Sequence, residues 1–177
     1  MKHELMLVLG GARSGKSRYA QSVAEARWRR PLYLATAEVL DDEMAERVKL
    51  HRQKRGPRWQ HVEEPLAIAA TLRDQAIECD GILVDCLTLW LSNVMLKEGE
   101  AACEQRKQEL LDALRQRTRN TILVSNEVGL GIVPDNALGR KFRDLAGWLN
   151  QDVAAEADCV VFVAAGLPLA IKGAPRP

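Results

Sequence analysis

Residues 10–17, GGARSGKS, restrict the fold of this chain more than any other segment. They follow a short apolar run at residues 5–9 and open an amphipathic stretch, and they match the pattern G-x-x-x-x-G-K-[ST]. Glycines let the backbone wrap closely around phosphate oxygens, and the amides at the start of the next helix point at the anion. The segment therefore predicts a phosphate-binding loop (P-loop) between a strand and a helix, formed by Gly10, Gly11, Ala12, Arg13, Ser14, Gly15, Lys16 and Ser17.

Three side chains at this loop and beyond it predict a site for GTP or ATP with Mg²⁺. We expect Lys16 to neutralise β- and γ-phosphate oxygens as a catalytic residue, and Ser17 to hold Mg²⁺. Asp85 ends the apolar run GILVD, where a second Mg²⁺ ligand belongs, although a helix cap or a turn would also explain it. The motif does not choose among kinase, GTPase, ATPase and nucleotide sensor, but the chain has no N-K-x-D motif, which disfavours a small GTPase.

Strand-like and helix-like segments alternate along the chain. Five apolar runs predict buried parallel strands, at residues 5–9, 32–35, 81–85, 121–125 and 159–164. Amphipathic stretches predict helices at residues 16–29, 42–55, 65–77, 101–117 and 136–157. This order predicts an α/β fold of the P-loop NTPase (RecA-like) type, a doubly wound, mostly parallel sheet flanked by helices. Ligands of such sheets bind at the carboxyl ends of the strands.

Composition and charge limit the classes of protein and partner. The chain has 177 residues, 47% of them hydrophobic, which predicts one domain over residues 1–177. Twenty-five Lys and Arg balance 24 Asp and Glu, so we expect no nucleic-acid partner. No apolar run is long enough for a membrane span and the first residues do not resemble a signal peptide, so we expect a cytoplasmic protein. The four cysteines have no CxxC spacing and are expected to be structural thiols.

A basic stretch carries the histidine of greatest interest. Arg47, His51 and Arg55 are spaced at i, i+4 and i+8, with Lys54 beside them, so one helix face would combine an imidazole with three cations. Neighbouring positive charge keeps an imidazole neutral, and a neutral imidazole can attack phosphorus. A solvated basic helix with an inert histidine explains the same residues, so this pattern alone leaves both readings open.

Several segments together resemble one known family. They are GGARSGKSR, LYLATAE, LDDEMAERVKLHRQKRG, EEP at residues 63–65, GILVDCLTLWLSN, VSNEVGLGIVP, GRKFRDLAGWLNQDVAAEAD and VAAGLPLAIKG, and they occur in order from the first strand to the C-terminus. The resemblance is to the bifunctional adenosylcobinamide kinase/adenosylcobinamide-phosphate guanylyltransferases of cobalamin biosynthesis. It implies phosphorylation of adenosylcobinamide, then transfer of GMP from GTP to that phosphate through a guanylylated histidine that matches His51. It also implies a homotrimer.

The same resemblance implies a set of nucleotide contacts beyond the P-loop. They are Ala35, Thr36, Ala37, Arg52, Gln53, Lys54, Arg55, Glu63 and Asp85. Glu63 suits guanine, whose N1–H and exocyclic amine can donate to a carboxylate, but a surface carboxylate is the alternative. Thr36 and Asn126 could bind ribose, Mg²⁺ or the substrate, and the sequence does not choose among these ligands.

Some alternatives stay open from the sequence. Glu127 suits a general base for the substrate hydroxyl, or a structural carboxylate. The apolar stretch at residues 87–96 suits a subunit interface or a core helix. A kinase for another small hydroxyl compound, without guanylyl transfer, and a non-catalytic nucleotide-binding module are the rival functions.

Overall fold

The computed structural model describes residues 3–38 and 55–174. The helix predicted for residues 42–55 lies outside them, except for Arg55. The strands in the described residues are β1 (Leu5–Gly10), β2 (Pro31–Ala35), β3 (Gln60–Glu63), β4 (Gly81–Asp85), β5 (Asn120–Asn126), β6 (Cys159–Ala164) and β7 (Leu167–Lys172). The helices there are α1 (Lys16–Arg27), α2 (Ile68–Arg73), α3 (Leu87–Lys97), α4 (Glu100–Arg115) and α5 (Ala137–Glu156).

All of these strands belong to one sheet, in the order β3-β2-β4-β5-β1-β6-β7. Strands β1 to β6 pair in parallel, and β7 pairs with β6 in the antiparallel direction. Strand β5 lies between β1, which leads into the P-loop, and β4, which ends at Asp85. The predicted fold class is confirmed, a mostly parallel α/β sheet of the P-loop NTPase type. That residues 1–177 form one domain stays a prediction.

The central strands are buried on both faces, which is why they appear in the sequence as continuous apolar runs. In β1, Leu5 and Leu7 pack in a cluster with residues of α2, α3, α4 and α5. Met6 and Val8 point to the opposite face and pack with residues of α1. Side-chain alternation along a strand thus supplies both helical layers with apolar contacts.

The apolar stretch at residues 87–96 is a core helix. Trp90 of α3 is 1% exposed, and its indole N–H donates to the carbonyl of Leu66 at 2.7 Å. Leu87, Leu91 and Val94 are also buried in the larger cluster, at the spacing of one helix face. Leu96, at the end of α3, is exposed.

The helix predicted for residues 65–77 is shorter, because α2 covers only Ile68–Arg73. One oxygen of Glu64 accepts from the backbone N–H groups of Leu66 and Ala67, which builds a turn before the helix. Asp74 ends it with an extended backbone.

Two strands were absent from the sequence prediction, β3 and β7. Strand β3, QHVE, has too little apolar character to stand out, and it lies at one edge of the sheet. Strand β7, LPLAIK, forms the other edge of the sheet and is exposed along its whole length. Proline is tolerated in an edge strand, which explains Pro168. Each of these two strands is held mainly by backbone pairing with one neighbour, which local sequence pattern does not reveal.

None of the helices within residues 3–38 and 55–174 combines the length and apolar character that crossing a bilayer requires.

Substitution of Gly81, at the start of β4, tests how tightly Trp28 packs against the sheet. A Cβ atom there would overlap the Trp28 ring, which is buried over this strand. We expect Gly81→Ala to lower the free energy of unfolding by about 1–3 kcal/mol through overpacking. The measurement is urea unfolding followed by circular dichroism.

Gly147→Ala in α5 is the matched control, because a Cβ atom there meets nothing within 4 Å. Since glycine weakens a helix interior, this variant should gain roughly 0.5–1 kcal/mol. Equal unfolding midpoints for the two variants would contradict the packing argument.

Candidate functional site

The P-loop connects β1 to α1 through residues in the left-handed backbone region. Arg13 has φ 57° and Gly15 has φ 95°. A Cβ atom on Gly15 would also lie 3.2 Å from Gly166, in the turn between β6 and β7. Backbone conformation and close packing together therefore require glycine at position 15.

Neighbouring strands hold the loop from two sides. The N–H of Glu127, just after β5, donates to the carbonyl of Gly10 at 3.1 Å. The N–H of Gly166 donates to the carbonyl of Ser14 at 2.8 Å. The loop is therefore preformed by contacts with β5 and with the β6–β7 turn, and the sequence analysis did not anticipate the second contact.

Lys16 and the start of α1 give this loop a positive character. Lys16 is 8% exposed, and its Nζ donates to the carbonyl of Gly11 at 3.2 Å. No side chain of the described residues caps α1, and its first turn has no acidic residue, so the positive end of the helix dipole faces the loop. Ser14 Oγ is buried with no hydrogen-bond partner among the described residues. These features fit a bound phosphate.

Parallel register aligns the strand ends that carry the other predicted site residues. Ala35 pairs with both Glu63 and Asp85, and Gly10 pairs with Asn126. The structure therefore brings these five residues to the carboxyl ends of neighbouring strands, where ligands of a doubly wound sheet bind, although strand β3, which carries Glu63, was not predicted.

Asp85 is half-buried and accepts a hydrogen bond that the sequence analysis missed. The Tyr33 hydroxyl donates to Asp85 Oδ2 at 2.9 Å. Burial, followed by the negative charge of Asp85, raises the pKa of Tyr33 far above its ordinary value, against an opposing effect of Arg55. The phenol therefore stays protonated and remains a donor.

Thr36 fixes the chain directly after Asp85. It is fully buried, and its hydroxyl donates to the Cys86 carbonyl and accepts from the Cys86 N–H, both at 2.8 Å. The Thr36 N–H donates to the Asp85 carbonyl at 3.1 Å, and the Asp85–Cys86 peptide bond is cis. A nucleotide contact at Thr36 stays a prediction, since its hydroxyl and its backbone N–H both bond to protein groups.

Asn93 of α3 joins the segments that follow β2 and β3. Its side-chain amide donates to the carbonyls of Thr36 at 2.8 Å and Pro65 at 3.2 Å. Lys97, one turn further on, forms an ion pair with Glu38. Helix α3 thus holds the segment of Thr36 and Ala37, where nucleotide contacts are predicted.

Arg55 lies against Tyr33. Its guanidinium is 3.3 Å from the centre of the Tyr33 ring, a cation–π contact, and its Nη1 is 3.3 Å from His61 Nδ1. Glu63 is exposed at the end of β3. The other predicted residues of this stretch, His51, Arg52, Gln53 and Lys54, lie outside the described residues.

The end of β5 is held by two polar side chains. Asn126 donates its N–H to Thr88 Oγ1 at 2.7 Å, and its carbonyl accepts from Asn150 Nδ2 at 3.1 Å. Glu127 Oε1 accepts from the N–H of Gly129 at 2.6 Å. The backbone at Asn126 is therefore fixed, while the two roles considered for Glu127 stay open.

Ser17 and Asp85 offer the hard oxygen donors that Mg²⁺ prefers. Across residues 3–38 and 55–174, no group of three or more His, Cys, Asp or Glu side chains is placed to hold a metal. Mg²⁺ bound with a nucleotide usually takes one or two protein ligands, the remainder being phosphates and water. A hydroxyl and one carboxylate beside the P-loop therefore fit it.

The cysteines take no part in a disulfide. All four are free thiols, and three of them are buried. Burial, then the charge of Asp85, raises the pKa of Cys86 to about 11, so this thiol stays protonated.

Comparison with known proteins identifies the family. The family model "Cobinamide kinase / cobinamide phosphate guanyltransferase", CobU, matches residues 6–171. The chain belongs to this family. Its members transfer phosphoryl and nucleotidyl groups, so the chain is a transferase.

Curated relatives in the CobU family match nearly the whole chain. "Bifunctional adenosylcobalamin biosynthesis protein CobP" of Pseudomonas aeruginosa is 47% identical over 169 residues, covering 96% of this chain and 98% of its own. "Bifunctional adenosylcobalamin biosynthesis protein CobU" of Salmonella typhimurium is 38% identical and that of Escherichia coli 37%, each covering 95% of this chain and 99% of its own.

A solved structure shows how far the fold extends beyond the CobU family. An ATPase from the type III secretion system of pathogenic bacteria aligns over 94% of this chain with a TM-score of 0.56 and 14% identity. The chain spans 56% of that ATPase's length, and the likeness shows the shared fold alone.

The contacts of the Thr36 hydroxyl predict that the stability of the protein depends on this one group. Thr36→Val leaves the buried N–H of Cys86 without its partner, while the Cys86 carbonyl keeps the N–H of Trp90, so we expect a loss of about 1–3 kcal/mol in the free energy of unfolding. Thr36→Ser keeps the hydroxyl and should lose about 0.8 kcal/mol for one methyl group. Urea unfolding of both variants measures this, and a Val variant as stable as the wild type would contradict it.

Proposed function

We propose that this chain phosphorylates adenosylcobinamide with a nucleoside triphosphate, then transfers GMP from GTP to the new phosphate through a guanylylated histidine, His51. The products are adenosyl-GDP-cobinamide and pyrophosphate. Membership of the CobU family supports the two activities together. The observation that carries the proposal in the structure is buried Lys16 at the start of α1, directly after the loop that follows β1, while Asp85 ends the parallel strand β4.

In the first step, the substrate hydroxyl forms a bond to the γ-phosphorus while the bond to the β–γ bridging oxygen breaks. Lys16 and the amides at the start of α1 stabilise the negative charge on the transferred group. Ser17 and Asp85 would hold Mg²⁺, which would supply further positive charge to the phosphates. The hydroxyl proton needs an acceptor, and Glu127, directly after β5, is our candidate.

In the second step, the neutral imidazole of His51 attacks the α-phosphorus of GTP and pyrophosphate leaves. A phosphate oxygen of adenosylcobinamide phosphate then attacks the same phosphorus and breaks the phosphorus–nitrogen bond, which restores the histidine. Covalent catalysis divides one difficult displacement into two easier ones. The P-loop is suited to retain the pyrophosphate in the meantime.

Recognition of the nucleotide would use the other strand ends. Glu63 lies exposed beside Ala35 in the register of β2 and β3, a position from which a carboxylate can accept from guanine N1–H and its amine. We propose further contacts with Thr36 and Ala37, and with Arg52, Gln53, Lys54 and Arg55.

We also propose a homotrimer. Strand β7 supports an assembled form, because Leu167, Leu169 and Ile171 are 61–73% exposed at the edge of the sheet. An exposed apolar edge strand has unpaired backbone groups that can pair with another chain. The cytoplasmic location stays a prediction.

Covalent labelling tests the guanylyl step. We expect protein incubated with Mg²⁺ and GTP labelled at the α-phosphorus to retain the label after denaturation, and His51→Ala to retain none. A phosphoramidate is acid-labile and base-stable, so the stability of the label identifies the linkage.

His3→Ala is the matched control, since the described contact of His3 is its backbone carbonyl, which accepts from Arg117 Nε. It should label like the wild type. No label on any of the three proteins would favour the rival kinase without guanylyl transfer, and nucleotide binding with neither label nor phosphorylation would favour the non-catalytic module.

Lys16→Met tests the kinase step. Loss of one positive charge beside the transferred group should lower kcat for phosphorylation of adenosylcobinamide on the order of a hundredfold or more. The measurement is transfer of label from the γ-phosphorus of ATP or GTP to the corrinoid. Lys141→Met, which removes a surface lysine paired with Glu100, should keep wild-type activity, and equal rates for the two variants would exclude the role of Lys16.

A further inference from the structure

Tyr33 on β2 links the Asp85 carboxylate to the residues that follow the predicted nucleophile. Its hydroxyl donates to Asp85 Oδ2 at 2.9 Å across 52 positions of sequence. Arg55, four positions after His51, covers the face of the same ring at 3.3 Å. No motif in the sequence analysis assigned Tyr33 a function.

The hydrogen bond bears directly on how Asp85 can hold a metal. The terminal torsion of an aspartate is broad, so packing alone leaves the rotation of its carboxylate loosely defined. A donor on Oδ2 selects one orientation and leaves Oδ1 available to a cation. Because the phenol is a neutral donor, it does this without replacing the negative charge that a cation needs.

The Tyr33 hydroxyl is itself held in place by packing around the ring. Trp59 meets the ring edge-on with 6.1 Å between centroids, and His61 lies at 6.0 Å on a tilted plane. Trp59 Nε1 in turn donates to Glu25 Oε1 of α1 at 3.1 Å. With Arg55 on one face, the ring has few other positions available, which is the condition for a precise hydrogen bond.

We propose that Tyr33 is a positioning residue that orients the Asp85 carboxylate toward the Mg²⁺ of the bound nucleotide. The proposal rests on the proposed function, since it takes Asp85 as the metal ligand. It assigns the tyrosine of LYLATAE to the metal site, while a core tyrosine with an incidental partner is the competing explanation.

The experiment compares nucleotide binding with and without the metal. Affinity for a GTP analogue with a methylene bridge between the α- and β-phosphorus, which blocks guanylyl transfer, is measured by calorimetry in Mg²⁺ and in EDTA. We expect Tyr33→Phe to weaken binding about three- to tenfold in Mg²⁺, the effect of one lost hydrogen bond, and to match the wild type in EDTA. Equal weakening in both buffers, or none in Mg²⁺, would overturn the proposal.

Tyr19→Phe is the matched control, because Tyr19 is the other tyrosine of the chain and packs against the same cluster as Tyr33, while the titratable groups that act on it are Cys159 and Arg27 rather than Asp85. It should bind as the wild type does in both buffers. Thermal unfolding without ligand should show both variants folded, so a change limited to Mg²⁺ cannot come from general destabilisation.

Asp85→Asn separates failure of this inference from failure of the proposed function. If Asp85 holds the metal, this variant loses the Mg²⁺-dependent part of binding, and adding Tyr33→Phe to it causes no further loss. A further loss in the double variant would overturn the role of Tyr33 and leave the metal assignment intact. An Asp85→Asn variant with unchanged Mg²⁺ dependence would overturn both, and a wild type that does not bind the analogue would refute the proposed function itself.

Discussion

The parallel register of β1, β5, β4 and β2 is the constraint on which the rest of the site depends. Backbone pairing sets the strand ends level, and burial of the alternating side chains on both faces prevents a slip, since a shift of one residue would exchange the two faces. Residues far apart in sequence, such as Gly10 and Asn126, therefore end beside each other. The residues proposed for nucleotide chemistry lie at or directly after the carboxyl ends of these strands, or in the segments that follow them.

Polar contacts then fix the chain segments that follow the carboxyl ends of the strands. The P-loop is bonded to the residue after β5 and to the β6–β7 turn, while Thr36 holds the peptide after Asp85 through a buried hydroxyl. Asn93 joins the segments beyond β2 and β3. Since catalysis by charge stabilisation requires groups in place before reaction, these contacts fit a preorganised site.

The sequence predicted correctly those strands and helices whose own residues carry a recognisable pattern. Strands β1 and β6, and β4 up to its last residue Asp85, form apolar runs because both faces are buried, and α1 follows a glycine-rich loop that cannot continue a strand. Edge strands failed for the opposite reason, because β3 and β7 are defined by pairing with one neighbour. The predicted helix began too early because Glu64 forms a turn with the backbone of Leu66 and of Ala67, the N-cap of α2.

The sequence by itself determined the phosphate loop, the five apolar parallel strands and the family. Each is carried by contiguous residues, whose spacing reflects backbone geometry and burial. Only the tertiary structure decided which polar side chains meet, such as Tyr33 with Asp85 and Asn93 with Thr36. Those pairs lie more than 50 positions apart, and a hydrogen bond depends on tenths of an ångström that emerge when the sheet and its helices pack together.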